Sequence, residues 1–156
     1  MHLDIPFKQS VVTGLAPVST STAKTAAYLN MGLAIRVYVI VTLTQAVGHA
    51  TPVTLRQAQD NTGTGLKDLA NTIPVWANED VGAGDVMTKQ DDAVSHTVAA
   101  DIKNKKVVFQ VEGEDMDVKN KFTHLTAQIG ASAQAGNIAN IDYIVEPRTP
   151  GETLLG

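Results

Sequence analysis

The sequence contains no cysteine and is poor in both aromatic and charged residues. The absence of cysteine among 156 residues excludes disulfides, thiolate zinc sites and cysteine nucleophiles. Aromatic residues make up 4%, which leaves little for base stacking or a sugar-binding platform. Charged residues make up 18%, below the usual quarter, and this low value indicates that another protein covers part of the surface.

The sequence also has no long hydrophobic run. The longest apolar stretch, residues 35–43, is interrupted by Arg36 and is far too short to span a bilayer. The first residues, MHLDIPFK, lack the basic start and apolar run of a signal peptide. We therefore expect a soluble protein with no membrane partner.

The net charge of −4 is unevenly distributed along the chain. Residues 1–59 carry four basic residues and one acidic residue, a net +3, while the remainder carries a net −7. A nucleic-acid-binding protein needs a clustered basic face, so nucleic acid is not expected as a partner. The four basic residues of the first segment are widely scattered: Lys8, Lys24, Arg36 and Arg56.

Apolar residues recur at every second position, which is the period of a β-strand rather than a helix. Strands and turns that alternate in this way predict an all-β fold, an antiparallel β-sandwich or jelly-roll-like barrel. In AIRVYVIVTLT, one face carries Ile35, Val37, Val39, Val41 and Leu43, and the other carries Arg36, Tyr38, Ile40 and Thr42. Later strands are predicted to point these side chains inward: Val53, Leu55, Gln57, Val107, Phe109, Val111, Leu125, Ala127, Ile129, Ile141, Tyr143 and Val145.

Segments rich in glycine, asparagine and aspartate separate the predicted strands. Residues 30–32 are predicted to form a short hairpin turn, and residues 60–65 a loop. Residues 65–71 are predicted to form one helical turn.

The two ends of the chain differ from the middle, which we expect to be a single domain over residues 10–146. An arm is predicted at residues 1–9 and another at residues 147–156, because two prolines exclude the latter from an interior strand. Terminal segments are usually mobile. The alternative is that both arms order against a neighbouring subunit, with Leu154 and Leu155 as apolar anchors.

An acidic cluster lies within FQVEGEDMDVKNKF: Glu112, Glu114, Asp115 and Asp117. A calcium loop needs a glycine at its sixth position, and a loop that starts at Asp115 has Asn120 there. A glycosidase pair would need a sugar cleft, usually aromatic. We therefore predict a solvated turn with no metal, from which Val118 and Phe122 return to the core.

No enzyme motif is found in the sequence. Ser95 and His96 are adjacent on a predicted strand and point to opposite faces, which excludes a Ser–His pair. The segment GTGLKD, residues 63–68, lacks the spacing of a phosphate-binding loop. We expect no catalysis, no cofactor and no small-molecule substrate. The histidines form neither an HxH nor an i, i+4 pair, the spacings of metal ligands: His2, His49, His96 and His124.

Three segments combine strand and turn in a distinctive order. LRQAQDNTGTG, residues 55–65, joins a strand to a glycine-rich loop. Residues 107–118 form a strand that ends in the acidic turn and an Asp-Val step, and residues 143–148 carry a tyrosine and end in Glu-Pro-Arg. Over about residues 10–148, this succession resembles small structural proteins of tailed bacteriophages, of the capsid decoration or cement type.

The resemblance implies a virion protein that is made in the bacterial host cytoplasm and binds the outside of the capsid. Such proteins contact the major capsid protein, commonly form homotrimers at three-fold or quasi-three-fold positions, and reinforce the shell without catalysis. We place the interface on the Arg36–Tyr38–Ile40 face and on the terminal arms, with these candidate residues: Arg36, Tyr38, Ile40, Pro147, Arg148, Leu154 and Leu155.

Two other functions fit the same composition. A tail or head–tail joining component would have the same kind of β fold and would assemble as a hexameric ring. A host-surface glycan-binding module would depend on Trp76 in IPVWAN. The apolar neighbours Ile73 and Val75 favour a buried Trp76 instead.

Overall fold

The computed structural model describes residues 8–156, and its strands form two antiparallel sheets packed as a sandwich. The predicted all-β sandwich is therefore confirmed. The predicted arm at residues 1–9 lies, apart from Lys8 and Gln9, outside the described residues. None of the helices within residues 8–156 is long and apolar enough to cross a membrane.

Sheet A contains six strands. In order across the sheet, they are β1 (Ser10–Ser19), β12 (Ile138–Pro147), β4 (Ala34–Thr44), β10 (Asn104–Glu112), β7 (Val75–Asn78) and β8 (Thr88–Lys89).

Sheet B is centred on two strands, β11 (His124–Ile129) and β5 (Pro52–Ala58). Beside β11 lie β2 (Lys24–Thr25) and β3 (Leu29–Asn30), and beside β5 lie β6 (Lys67–Asp68) and β9 (Ser95–Thr97). Three short 3₁₀ helices complete the described part of the chain: Met31–Leu33, Gly113–Asp115 and Val118–Asn120.

The alternating side chains of the long strands build the core between the sheets. On β4, Val37, Val39 and Val41 are fully buried, and the residues predicted to point inward on β5, β10, β11 and β12 are buried in the same way. Full burial of one such aliphatic side chain stabilises the fold by about 1.5–3 kcal/mol. The period-two pattern therefore identified the core face correctly.

The predicted inward position of Ile35 is wrong. Its side chain is 47% exposed, while Ala34 is buried. The pairing of β12 with β4 shifts here, because Glu146 lies opposite Arg36 but Pro147 lies opposite Ala34. Ile35 is thus the extra residue of a β-bulge, which reverses the alternation at the start of the strand.

The predicted hairpin at residues 30–32 is also wrong. Strand β3 pairs with β11 in sheet B, whereas β4 belongs to sheet A, so the connection crosses between the sheets. It does so through the 3₁₀ helix Met31–Leu33, where Asn30 Oδ1 accepts from the Gly32 N–H at 3.0 Å. Residues 65–71 contain the short strand β6 rather than the predicted helical turn.

Two further burial predictions failed. Val118 is 58% exposed, although Phe122 does return to the core, where it is 6% exposed. Thr126 lies between the residues predicted to point inward, Leu125 and Ala127, so the alternation places it on the outward face of β11, but it is fully buried. Its hydroxyl donates to the carbonyl of Ala26 at 2.7 Å, which satisfies the buried polar group.

Candidate interaction surface

The residues predicted for the interface on β4 lie together on the outer face of sheet A. The strand register places Tyr38 between Ile144 on β12 and Gln110 on β10. Ile40 lies between Asp142 and Val108 in the next row. Cross-strand neighbours on one face lie close enough for their side chains to contact each other.

An apolar strip runs across the middle of this face, and we call it the outer strip. Val11 is 57% exposed, and the other members are half-buried. One side of β4 therefore packs against sheet B, and the other side presents apolar surface on the outside of the sandwich. The members are Val11, Ile144, Tyr38, Ile40, Val108 and Trp76.

Trp76 lies in this strip and not in the core, which corrects the prediction of a buried indole. Its neighbours Val75 and Ala77 take the inward positions of β7. The indole lines a shallow, mostly apolar groove of about 320 Å³ together with Tyr38, Met87, Val108 and Gln110. The ammonium of Lys89 lies 5.6 Å from the centre of a Trp76 ring, within the range of a cation–π interaction.

Charged and polar residues border the outer strip at both ends of the strands. At one end, Arg36 Nε donates to Glu112 Oε1 at 2.9 Å, and this hydrogen bond raises the pKa of the guanidinium above its ordinary value. At the other end, Asn140 Nδ2 donates to Asp142 Oδ2 at 3.0 Å. An apolar centre with a polar rim is the arrangement found in protein–protein interfaces.

The predicted C-terminal contact residues lie elsewhere, at the end of the sandwich and against sheet B. Pro147 ends β12, and the Arg148 N–H donates to the Leu33 carbonyl at 2.8 Å. Leu155 forms a bridge with Leu29, and Leu154 is buried in the core of its own chain. Contact of this arm with a neighbouring subunit stays a prediction, and Leu154 would serve it only by leaving this core.

The acidic turn is held together by its own carboxylates and by basic residues from other strands. Asp115 Oδ2 accepts from the Glu112 N–H at 2.8 Å, and partial burial raises the pKa of Asp115. Asp117 accepts from Lys67 at 2.5 Å and from Asn120, and the hydrogen bond from Lys67 lowers its pKa. Each of these carboxylates therefore has a structural role in closing the turn.

The loop at residues 60–65 is closed in a similar way. Asp60 Oδ1 accepts from the backbone N–H groups of Thr62 and Thr64, at 2.9 and 3.1 Å. Hydrogen bonds from the side chains of Thr64 and Thr62, and then these backbone hydrogen bonds, hold the pKa of Asp60 well below its usual range. The backbone N–H groups of Thr62 and Thr64 are thus already occupied by this carboxylate.

The histidines within residues 8–156 contact different parts of the fold. His96 lies 3.0 Å from Glu79, while His49 and His124 contact threonine hydroxyls. In this described part of the chain, no three histidine, aspartate or glutamate side chains form a group that could hold a metal ion.

A buried lysine cluster was missed by the sequence analysis. The side chain of Lys105 is fully buried on β10, and its ammonium contacts Asp101 and the Ala99 carbonyl and lies 3.4 Å from Glu79. Because Glu79 also binds His96 on β9, the cluster connects the two sheets. The sequence did contain a signal for this burial, because Lys105 lies two residues before Val107 on β10 and therefore points to the same inward face.

Comparison with known proteins gives distant likenesses. No protein-family model and no curated protein matches this chain. Among solved structures, the SPBc2 prophage-derived protein YomS aligns with a TM-score of 0.49 at 8% identity, over 93% of this chain and 99% of that chain. The structure of infectious bursal disease virus Gx strain aligns with a TM-score of 0.23 at 7% identity, over 90% of this chain and 40% of that chain. Likenesses this distant carry no argument about function.

Proposed function

We propose that this chain is a structural protein of a tailed-bacteriophage particle, which binds the outside of the capsid and stabilises it as a decoration or cement protein. The observation that carries the proposal is the outer strip. It offers an apolar contact surface with a polar rim on the face that the sequence predicted for the interface. The order of strand and turn segments, which resembles the decoration proteins, directs the proposal to a phage capsid.

The rest of the molecule suits a mechanical role. Two sheets enclose a continuous core of aliphatic and aromatic side chains, so the subunit deforms little under load. The Lys105 cluster adds polar cross-links between the sheets at one end. The homotrimer and the contact with the major capsid protein, both implied by the resemblance, stay predictions.

The first test is the copy number of the chain in purified particles of the phage that carries its gene. Quantitative mass spectrometry against the major capsid subunit is expected to give a ratio near one to one. A handful of copies per particle would assign the chain to the tail or the neck instead. Complete absence from the particle would refute the proposal.

A second test changes the centre of the outer strip. Ile40→Lys places an ammonium opposite Asp142, so the fold should tolerate it, but the apolar centre acquires a charge. We expect its binding to purified shells to weaken at least about tenfold. Ile102→Lys is the matched control, because Ile102 is 68% exposed and lies outside the strip. Equal binding by both variants would show that the strip is not the contact.

The groove beside Trp76 favours glycan binding as a second candidate function. Trp76 and Tyr38 both line it, and a half-exposed indole provides a surface on which a sugar ring can stack. Titration with host-surface glycans should then quench the fluorescence of this single tryptophan. If the fluorescence does not change at millimolar glycan and the chain is present in the particle, the capsid role remains and glycan binding is refuted.

A further inference from the structure

Free sheet edges expose unpaired backbone groups, and most edges of this fold are protected against strand addition. Strands β8, β2 and β6 are two residues long, and they carry Lys89, Lys24 and Lys67 respectively. Strand β3 is equally short, and Leu155 of the C-terminal segment pairs with its Leu29. Short length, lysine and a covering segment are the usual means of protecting an edge.

Strand β1 differs from these edges. It forms an edge of sheet A, is ten residues long and carries no charged residue. Residues 10–13 pair with β12 in an unbroken register, from Ser10 opposite Val145 to Thr13 opposite Asp142. Within residues 8–156, no strand pairs with the other side of this segment.

The open part of β1 is limited to these four residues. The register shifts after Thr13 and again after Leu15, and Pro17 lacks a backbone N–H. The Gly14 carbonyl already accepts from the Ala27 N–H at 2.7 Å. Within residues 8–156, only residues 10–13 of β1 thus combine a regular ladder with outer backbone groups that no other described strand pairs.

We propose that residues 10–12 of β1 pair antiparallel with the same residues of a second copy of this chain, so that Thr13 lies opposite Gln9 of the other copy. A two-fold axis through Val11 puts the two Val11 side chains opposite each other and keeps every side chain on its own face. Pairing this neutral segment with itself brings no like charges together. Self-pairing of β2, β6 or β8 would instead bring lysines of the two copies close to each other.

The outer strip gives a second reason for choosing this partner. Val11 lies at the free edge of the strip and has Ile144 as its neighbour on β12. The pair would therefore join the strips of two copies into one apolar band on a continuous sheet. A two-fold contact of this kind is complete in a dimer, whereas the resemblance to decoration proteins implies a trimer. The inference therefore does not depend on the proposed capsid role.

The experiment is sedimentation equilibrium of the full chain between about 1 µM and 1 mM, a range that covers weak association. We expect a monomer–dimer equilibrium, because four residues give a small contact. Val11→Lys should weaken the dimer at least about tenfold by placing two ammonium groups opposite each other. Val11 is 57% exposed, so the change should leave the folded monomer intact, as its thermal melting curve will show. Ile102→Lys, an exposed apolar residue away from β1, should leave the dimer unchanged.

Hydrogen exchange provides a readout of the backbone itself. Amides of residues 10–13 that point outward should become protected as the protein concentration rises, and those of the β8 edge should not. A chain that stays monomeric throughout, forms a trimer, or dimerises equally well with Val11→Lys would overturn the inference. Dimerisation without added protection at residues 10–13 would do the same.

Discussion

The ring of Tyr143 occupies the space that a side chain on Gly14 would need. A Cβ at Gly14 would lie 2.6 Å from Cε2 and 2.9 Å from Cζ of this ring. The ring is held in place because the Tyr143 hydroxyl donates to the Ala27 carbonyl at 2.9 Å. The packing of the edge strand β1 against β12 therefore needs a residue without a side chain at Gly14, next to the buried ring of Tyr143.

Gly14→Ala should destabilise the fold by about 1–3 kcal/mol, because the added methyl overpacks a site that cannot relax without losing a buried hydrogen bond. Urea unfolding measures this change. Gly84→Ala is the matched control, since no atom lies within 4 Å of the added methyl, and it should have little effect. Equal stability of the two variants would show that the Tyr143 ring moves aside freely.

Stability at alkaline pH should depend on Tyr143. Burial raises the pKa of its phenol, whereas in the unfolded chain the phenol titrates at about pH 10. The unfolded state loses this proton first, so the contribution of Tyr143 is complete below that pH and is lost as pH rises above it. The free energy of unfolding should fall by up to about 1.4 kcal/mol per pH unit in this range.

Tyr143→Phe should remove this part of the pH dependence. Urea unfolding of both proteins between about pH 9 and 12 covers the range in which an unfolded tyrosine titrates. Tyr38→Phe, at a half-exposed position on the outer face, is the control and should keep the slope. If the free energy of unfolding of Tyr143→Phe falls with pH as steeply as that of the unmodified chain, the prediction is contradicted.

The sequence predicted most of the fold because the core depends on a simple alternation. Val37, Val39 and Val41 face inward wherever β4 pairs regularly, and a period of two identifies that face without knowing the neighbouring strands. Ile35 was misplaced because a bulge depends on the register with β12, which is not a local property. The turn at residues 30–32 was misread for a similar reason, since its local sequence does not say which sheet each flanking strand joins.

The candidate surface was predicted only in part. The alternation of side chains along β4 predicted that Tyr38 and Ile40 lie on the outer face, and the structure agrees. The positions of Val108 and Trp76 in the same strip could not be predicted, because they depend on pairing between strands that are distant in sequence. The unprotected edge at β1 is likewise a property of the sheet order and has no local sequence signal.

Burial of Lys105 should make it far more important for stability than its neighbour Lys103. Lys105→Met keeps the stem but loses the contacts of the ammonium with Asp101 and Ala99, and we expect a loss of about 2 kcal/mol. Lys103 also contacts Asp101, but its side chain is 43% exposed. Lys103→Met should therefore change stability little. Urea unfolding that ranks the two variants equally would mean that the buried ammonium contributes no more than a surface charge.

Removal of divalent metal should leave the acidic turn unchanged. Glu112 is paired with Arg36, Asp117 with Lys67, and Asp115 with a backbone N–H, so these carboxylates are satisfied by protein groups. We expect the Tm to stay within about 1 °C when a chelator in excess is added, since a structural metal would contribute directly to folding.

Asp117→Asn is the informative variant for the same turn. It removes the charge that pairs with Lys67 and should lower the Tm to the same extent with and without chelator. A Tm that falls with chelator in the unmodified chain, but not in Asp117→Asn, would show that Asp117 holds a metal. In that case, the contacts of Asp117 with Lys67 and Asn120 would be present only in the metal-free turn.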